Sequence, residues 1–218
     1  MGEERGAKLG KGEKKFEKTE VRIVAGKLKG RRIACYVNPD MRPTPQLVRE
    51  SLFSIMGNAI PGRLFYDVFA GTGVVGMEAV SRGALRANLI EFDAKQATEI
   101  QGNINRFGIA ESAVVLRADA YKWAERWIVP PDQKPVNLFL SPPFPDLAPE
   151  RIPPFLKMVM DLMEKAPLES VLILQTEDGF PFDQLPHFGQ WDIRKYGRNF
   201  LGFYVKEATP EPGTPVPG

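Results

Sequence analysis

The chain has 218 residues, a formal net charge of +2 and 43% hydrophobic residues, which fits one globular domain with an extension. It has no apolar run near the roughly 18 residues that a membrane-spanning helix needs, and its N-terminus lacks the apolar core of a secretory signal. Cys35 is the only cysteine and His187 the only histidine. An internal disulfide, a zinc cluster and a Ser-His-Asp hydrolase are therefore disfavoured, and we expect a cytoplasmic protein without a metal.

The positive charge is concentrated in a segment that precedes the predicted core. Residues 21–49 carry seven Lys or Arg and one Asp, a net charge of +6, whereas residues 50–218 have a net charge of −5. Such a basic segment is typical of a contact with nucleic acid, although a solvated basic face is the alternative. Residues 1–20 are charged and poor in apolar side chains, and residues 208–218 are rich in Pro and Gly. We predict that both ends are disordered.

Residues 21–57 predict a basic β-hairpin followed by a helix. Apolar and polar residues alternate in VRIVAGKLKGRRIACYV, where Gly26 and Gly30 mark turns or bulges. An apolar stripe at helical spacing begins after Thr44, a predicted N-cap, and ends at Gly57. Residues 21–32 carry five cations and no acid, which suits contacts with the phosphates of a nucleic acid. The predicted residues for this contact, which would be RNA-binding, are Arg22, Lys27, Lys29, Arg31, Arg32 and Arg42. For Arg42, and for Arg49 in the helix that follows, a core-adjacent ion pair or the edge of a cofactor site is the alternative.

A strand, an acid, a glycine loop and a helix are predicted over residues 64–82. The segment LFYDVFAGTGVVG starts with an apolar run, reaches Asp67 and turns at Gly71 and Gly73 before a periodic apolar stretch. A glycine loop at a helix N-terminus presents free backbone N–H groups to a ligand. The spacing also matches the G-x-G-x-x-G fingerprint of dinucleotide sites. Because a carboxylate at the strand end favours a cationic ligand over a pyrophosphate, S-adenosylmethionine is the preferred cofactor, with a dinucleotide or a glycine turn without ligand as alternatives.

Two further acids follow predicted strands of the same sheet, and a helix is predicted between these strands, over residues 94–107. Glu91, or as second choice Asp93, ends the strand predicted over residues 87–93, where it can accept hydrogen bonds from ribose hydroxyls. Asp119 ends the strand predicted over residues 113–119, where it either accepts from the adenine amino group or caps the next helix. The complete predicted cofactor site is Asp67, Phe69, Gly71, Thr72, Gly73, Glu91 and Asp119.

The segment VNLFLSPPF, residues 136–144, predicts a buried strand that ends in a stiff loop. The hydroxyl of Ser141 and the carbonyl of Pro142 can together accept two hydrogen bonds from an exocyclic amino group. Phe144 can stack on the base that carries this amine. The loop therefore suits the presentation of a planar amine to an electrophile, and a proline-rich strand end with a packing Phe is the alternative. The predicted catalytic residues are Ser141, Pro142, Pro143 and Phe144.

These motifs together resemble the bacterial 16S ribosomal RNA guanine-(N2)-methyltransferases. The resemblance covers about residues 21–206 and depends on the blocks RIVAGKLKGRRI, RPTPQLVRESLF, DVFAGTGVVGMEAVSRGA, LIEFD, SPPF and KYGRNFLGFY. It implies an α/β fold of the Rossmann-like class I methyltransferase type over residues 58–207, with a seven-stranded, mostly parallel sheet whose last strand is antiparallel, and the N-terminal hairpin as an extension. It also implies S-adenosylmethionine as cofactor and 16S RNA or the small ribosomal subunit as partner. We expect a monomer.

One position departs from the pattern of that family. The family usually has Asp or Asn before Pro-Pro and Tyr or Phe, whereas this chain has Ser141. A hydroxyl is shorter and uncharged, so it holds an amine less firmly than a carboxylate does. The alternatives are therefore a non-catalytic RNA-binding relative and a DNA or RNA amino-methyltransferase that acts on another base. A nicotinamide-dependent oxidoreductase is a further alternative, against which Asp67 and the Pro-Pro loop argue.

Overall fold

The computed structural model describes residues 17–37 and 42–208, which form two sheets. Strands β1 (Glu17–Arg22) and β2 (Arg32–Val37) pair antiparallel in the smaller one. Strand β1 thus begins inside the segment that the sequence predicted to be a disordered arm, because residues 17–20 pair with β2. The rest of that arm, residues 1–16, and residues 209–218 of the predicted tail lie outside the described residues.

The larger sheet contains the strands β3 (Leu64–Asp67), β4 (Arg86–Glu91), β5 (Ala113–Arg117), β6 (Val136–Leu140), β7 (Val171–Glu177), β8 (Asp192–Tyr196) and β9 (Asn199–Val205). Within the described residues these seven strands have the order β5-β4-β3-β6-β7-β9-β8. Strands β3 to β7 are parallel, whereas β9 runs antiparallel to both of its neighbours. The predicted mostly parallel sheet with an antiparallel last strand is confirmed. That strand lies inside the sheet, and β8 forms the edge.

Helices cover both faces of this sheet, and they are α1 (Gln46–Met56), α2 (Val74–Ser81), α3 (Ala94–Phe107), α4 (Ala120–Arg126) and α5 (Ile152–Lys165). Successive residues of a strand point to opposite faces. The ring of Phe65 accordingly lies 6.2 Å from Phe53 of α1, whereas the ring of Tyr66 lies 5.6 Å from Trp123 of α4. Helices α1, α2 and α3 pack on one face, and α4 and α5 on the other. In this described part of the chain, no helix has the length and apolar character to cross a membrane.

Local capping explains why α3 has the bounds that its sequence predicts, residues 94–107. The carboxylate of Asp93 accepts hydrogen bonds from the N–H groups of Lys95 and Gln96, both at 2.9 Å. Gly108 ends the helix in the left-handed region with φ 65°. Both signals act within a few residues of the helix end, so they are legible in the sequence.

The start of α1 differs from the prediction. Pro45 occupies the N-cap position without a side-chain hydrogen bond, so Thr44 is not the cap. The buried hydroxyl of Thr44 instead donates to Oε1 of Gln175 in β7 at 3.0 Å. This bond attaches the segment before α1 to the middle of the main sheet.

The smaller sheet packs on helix α3 and on the end of α2. Asn103 of α3 exchanges two hydrogen bonds with the backbone of Ala34 in β2, at 3.1 and 2.7 Å. The loop over residues 23–31 folds back so that one of its N–H groups donates to the carbonyl of Ser81 at 2.7 Å. Gly26 has φ 80°, and a Cβ there would lie 1.8 Å from that carbonyl oxygen. This close approach requires glycine.

Candidate active site

A cavity of about 920 Å³ opens at the carboxyl-terminal edge of the main sheet. The ends of β3 to β7 contribute to its wall, together with residues 42–45 and the turn between β8 and β9. The carboxyl ends of parallel strands meet at one edge, which is where open α/β sheets bind ligands. The structure thereby brings together predicted residues that are far apart in the chain: Arg42, Asp67, Phe69, Gly71, Thr72, Glu91, Asp119, Ser141, Pro142, Pro143 and Phe144.

The glycine loop contributes to this wall through part of its predicted residues. Gly71 lines the cavity in the left-handed region with φ 51°. Gly73 is the N-cap of α2 with φ 73°, but it does not line the cavity. A Cβ at Gly73 would lie 3.0 Å from Ile100 and 3.1 Å from Leu89. This glycine allows α2 to pack closely on β4 and α3, and its predicted contact with the cofactor stays a prediction.

Asp67 is buried at the end of β3, with 1% of its surface exposed. Its Oδ2 atom accepts a hydrogen bond from the N–H of Gly76, in the first turns of α2, at 3.0 Å. The pKa of the carboxyl is raised to about 7, with burial as the largest cause; the bond from Gly76 lowers this pKa in part, and the nearby charge of Glu91 raises it. A cation bound beside Asp67 would offset the cost of keeping this carboxylate charged.

Glu91 connects the end of β4 to the glycine loop. Its Oε2 atom accepts from the N–H of Gly71 at 2.7 Å, and its Oε1 atom accepts from the N–H of Asp93 at 2.8 Å. Burial raises the pKa of Glu91, while these backbone bonds lower it and the charge of Asp93 raises it. A carboxylate oxygen can accept more than one hydrogen bond. Glu91 therefore keeps acceptor capacity toward the cavity that it lines.

The two remaining acids of this side are helix caps. Asp93, the second choice for the ribose contact, caps α3. Asp119 caps α4 by accepting from the N–H of Lys122 at 3.0 Å, so the alternative of a helix cap is confirmed at this position. The Asp119 side chain also borders the cavity, which leaves its second oxygen available to a ligand.

The Ser-Pro-Pro-Phe loop follows β6 on the other side of β3. Ser141 is half-buried and Pro142 is buried, whereas Phe144 is 47% exposed and begins a short 3-10 turn up to Leu147. An exposed aromatic ring at the edge of a cavity offers a free face for stacking. The strand end thus places a hydroxyl inside the cavity and a ring at its rim.

Two cavity residues that the sequence did not predict, Tyr121 and Asp146, bridge the two sides. The hydroxyl of Tyr121 in α4 donates to Oδ2 of Asp146, in the turn after Phe144, at 3.0 Å. The ring of Phe69 lies edge-on against Tyr121 at 6.0 Å. Burial raises the pKa of Tyr121, and the charge of Asp146 raises it further. No sequence motif pointed to this pair, because its members belong to different elements and meet only in the folded chain.

Phe92 was also missed. It follows Glu91 directly, lines the cavity and is 72% exposed. One signal could have indicated that Phe92 lines a site. It is a large apolar side chain at the end of a strand, outside the alternating pattern of that strand. Its exposed ring offers the cofactor side of the cavity a surface for a planar group.

The cations of the predicted hairpin are exposed, as expected for a surface that contacts phosphates. Their positions differ in part from the prediction, because Lys27, Lys29 and Arg31 lie in the loop and not on the strands. Arg32 forms an ion pair with Glu20 of β1 at 3.1 Å. Residues 21–32 contain no acid, but the hairpin extends beyond them, because β1 begins earlier than predicted and contributes acids next to the cations.

The described residues contain no group of three or more His, Cys, Asp or Glu side chains arranged to hold a metal ion. The cavity instead combines backbone N–H groups, separate carboxylates and aromatic rings. This donor set suits an organic ligand that has hydroxyl, amino and cationic groups.

Comparison with known proteins finds ribosomal RNA methyltransferases among the proteins that are similar to this chain. The ribosomal RNA small subunit methyltransferase D of Buchnera aphidicola subsp. Acyrthosiphon pisum is 32% identical over 127 residues, which are 58% of this chain and 64% of that protein. The protein of the same name from Escherichia coli K12 is 33% identical over 125 residues, 57% of this chain and 61% of that protein. The matched region thus spans less than two thirds of the length of these relatives.

A solved structure and a protein family extend the match. The Escherichia coli protein yhhF, named as a candidate methyltransferase, is 26% identical with a TM-score of 0.69 over 88% of this chain and 100% of that chain. The predicted class I methyltransferase fold is thereby confirmed. The family described as conserved hypothetical protein 95 matches residues 21–205, which include both the hairpin and the main sheet. The resemblance to ribosomal RNA methyltransferases is confirmed, and this chain belongs to the family described as conserved hypothetical protein 95.

Proposed function

We propose that this chain transfers a methyl group from S-adenosylmethionine to the exocyclic N2 amine of a guanine in 16S ribosomal RNA. One observation carries the proposal. A single cavity joins the glycine loop and its acids, over β3 to β5, to the Ser-Pro-Pro-Phe loop at the end of β6. The names of the two relatives support ribosomal RNA of the small subunit as the substrate.

The residues on the β3 to β5 side fit S-adenosylmethionine, which when bound supplies an electrophilic methyl group on a cationic sulfur. Backbone N–H groups of the glycine loop and the buried carboxylate of Asp67 would face its polar and cationic groups. Glu91 would accept hydrogen bonds from the ribose hydroxyls, and Asp119 from the adenine amino group. The exposed ring of Phe92 would cover the adenine.

The residues at the end of β6 would position the target base. The lone pair of an exocyclic amine is delocalised into the ring, so the amine is a poor nucleophile until it is oriented. Ser141 Oγ and the carbonyl of Pro142 would accept its two N–H groups and direct the lone pair toward the methyl carbon. Phe144 would stack on the base after it leaves its helix. Catalysis would then depend on positioning and local electrostatics.

The hairpin would hold the RNA outside the cavity. Its exposed cations suit phosphate contacts, which position a nucleic acid without specifying its sequence. We propose 16S RNA or the small ribosomal subunit as the partner, a monomer as the active form and the cytoplasm as the compartment.

The experiment that tests this function uses the purified chain, radiolabelled S-adenosylmethionine and small ribosomal subunits from cells that lack the enzyme. The expected result is label in the RNA that is identified after digestion as N2-methylguanosine. Label on another base, or on DNA, would favour an amino-methyltransferase of different specificity. Cofactor binding in calorimetry without transfer to subunits, free ribosomal RNA or DNA would favour a non-catalytic RNA-binding protein. NADH binding without S-adenosylmethionine binding would favour an oxidoreductase.

A further inference from the structure

Three exposed arginines line the cavity at its mouth. Arg42 precedes α1, Arg151 precedes α5, and Arg198 lies in the turn between β8 and β9. These residues come from segments that are distant in the sequence, so their convergence is a property of the fold. We call this set the arginine rim.

The charges around the cavity are divided between its two halves. Glu91 ends β4, and Asp93 and Asp119 follow β4 and β5; all three lie in the half that contains the glycine loop. The arginine rim surrounds the other half, over β6, β7, β9 and β8, which are consecutive in the sheet. Two partly buried acids, Asp146 and Glu177, also line this half, and Asp146 is paired with Arg151 at 3.2 Å. The exposed charge of this half is therefore positive.

Hydrogen bonds hold two segments of the rim together. Gln175 of β7 accepts from the hydroxyl of Thr44 at 3.0 Å and donates from Nε2 to Oδ1 of Asn199 at 3.4 Å. These bonds join the segment that carries Arg42 to the turn that carries Arg198. The backbones under both arginines are thus fixed relative to one another, which reduces the conformational freedom lost when they bind a ligand.

We propose that the arginine rim binds the RNA phosphates that flank the target nucleotide, while the base enters between them toward Ser141. The inference rests on the proposed function for the identity of the polymer. A cavity whose wall contains several carboxylates repels an approaching polyanion, and arginines at the mouth reverse this repulsion on the side where the base enters. Guanidinium groups also bind phosphate oxygens in bidentate geometry. The hairpin would then contact a more distant part of the RNA.

The test measures the binding of a fluorescein-labelled single-stranded RNA that contains guanine, by anisotropy at several salt concentrations. The rim variant is Arg42→Ala with Arg198→Ala. The control is Arg86→Ala, because Arg86 is also exposed but begins β4 at the opposite edge of the sheet. We expect weaker binding by the rim variant and a salt dependence whose log–log slope is shallower by about 1.4, since each lost contact to single-stranded RNA removes about 0.7. The control should match the wild type.

Calorimetry with S-adenosylmethionine separates this idea from a cofactor role, because the affinity of the rim variant for the cofactor should equal that of the wild type. A weakened cofactor affinity, or a salt slope equal to that of Arg86→Ala, would overturn the proposal. If the wild type methylates RNA and the rim variant has the same salt slope as the wild type, the arginine rim does not bind RNA, whereas the proposed function is retained. A shallower slope without methylation of any RNA supports the rim as an RNA contact and rejects the methyltransferase.

Discussion

Arg49 and Glu78 form an ion pair in the interior, with 2.9 Å between Nε and Oε2 and exposed side-chain fractions of 2% and 0%. The other guanidinium nitrogens of Arg49 donate to the carbonyls of Thr44, at 2.6 Å, and Arg22, at 2.9 Å. Arg82 donates a hydrogen bond to the second carboxylate oxygen of Glu78 at 2.9 Å, so both oxygens of this carboxylate have a partner. One side chain thus links the hairpin, a cavity-lining segment and the helix after the glycine loop. The proposed RNA-binding and cofactor-binding parts are therefore mechanically connected.

Removal of Arg49 should lower the free energy of unfolding by about 3–5 kcal/mol, because it leaves the carboxylate of Glu78 buried without its main partner. Arg49→Lys keeps the charge, but its single nitrogen cannot lie within hydrogen-bond distance of all three acceptors that Nε, Nη1 and Nη2 of Arg49 reach separately, so it should recover only part of the loss. Urea denaturation measures both variants. Lys157→Ala, which breaks an exposed pair with Asp161, is the control and should unfold close to the wild type. Stability of Arg49→Ala equal to that of this control would contradict the assigned contacts.

Substitution of Gly26 by Ala should detach the loop of the hairpin. Gly30 provides a matched comparison, because both glycines lie in the left-handed region, at φ 80° and 84°, while only at Gly26 does a Cβ meet the carbonyl of Ser81. Gly26→Ala should therefore cost about 1–3 kcal/mol more than Gly30→Ala, as expected for overpacking. The difference between the two urea midpoints isolates the contact from the backbone strain. Equal midpoints would show that the loop does not approach α2 this closely.

The pH dependence of stability should contain a contribution from Asp67. Burial raises its pKa to about 7 in the folded chain, above the value of about 4 expected in the unfolded chain. The folded chain thus binds more protons than the unfolded chain between these values, so this group lowers the free energy of unfolding as pH rises from about 4 to about 7. Asp67→Asn should remove this decrease, because an amide does not titrate in this range. The amide oxygen can still accept the hydrogen bond from the N–H of Gly76, so the local contact is kept. Unfolding curves from pH 4.5 to 8 for both proteins test this; identical profiles would contradict it.

The affinity for S-adenosylmethionine should depend on the same carboxyl group. A cationic ligand favours the charged form of Asp67, so protonation below about pH 7 should weaken binding by at most tenfold per pH unit. Calorimetry at pH 6 and pH 8 measures this ratio, and Asp67→Asn should bind weakly at both values with a much smaller ratio. A wild-type affinity that is equal at both pH values would place the positive charge of the cofactor away from Asp67.

Two substitutions in the Ser-Pro-Pro-Phe loop should affect different kinetic constants, one of them kcat and the other KM. Ser141→Ala removes one acceptor of the target amine and should lower kcat by about tenfold to a hundredfold, with cofactor affinity unchanged. Phe144→Ala removes a stacking surface, worth about 1–3 kcal/mol per base, and should mainly raise KM for RNA. Ser141→Asp supplies the charged acceptor that is usual in the resembled family and should hold the amine more firmly. Full methylation by both alanine variants would reject the assigned contacts.

The sequence predicted the elements whose signals are local. Asp93 and Gly108 cap α3 from positions directly beside its ends, and the predicted bounds agree with the structure. The order of strand, acid, glycine loop and helix around Asp67 could also be recognised in the sequence, because each part of the motif depends on residues close to it in the chain. The start of β1 was missed since residues 17–20 have a polar pattern and become a strand only by pairing with β2.

The sequence alone thus determined the alternation of strands and helices, the acids at the strand ends and the two loops that meet in the cavity, because these depend on periodicity and short-range chemistry. Only the tertiary structure decided which distant groups become partners. The pairs Arg49–Glu78 and Tyr121–Asp146 and the convergence of the arginine rim each require packing between separate elements. Burial also sets the charge properties of Asp67, since the desolvation that raises its pKa exists only once the sheet is covered.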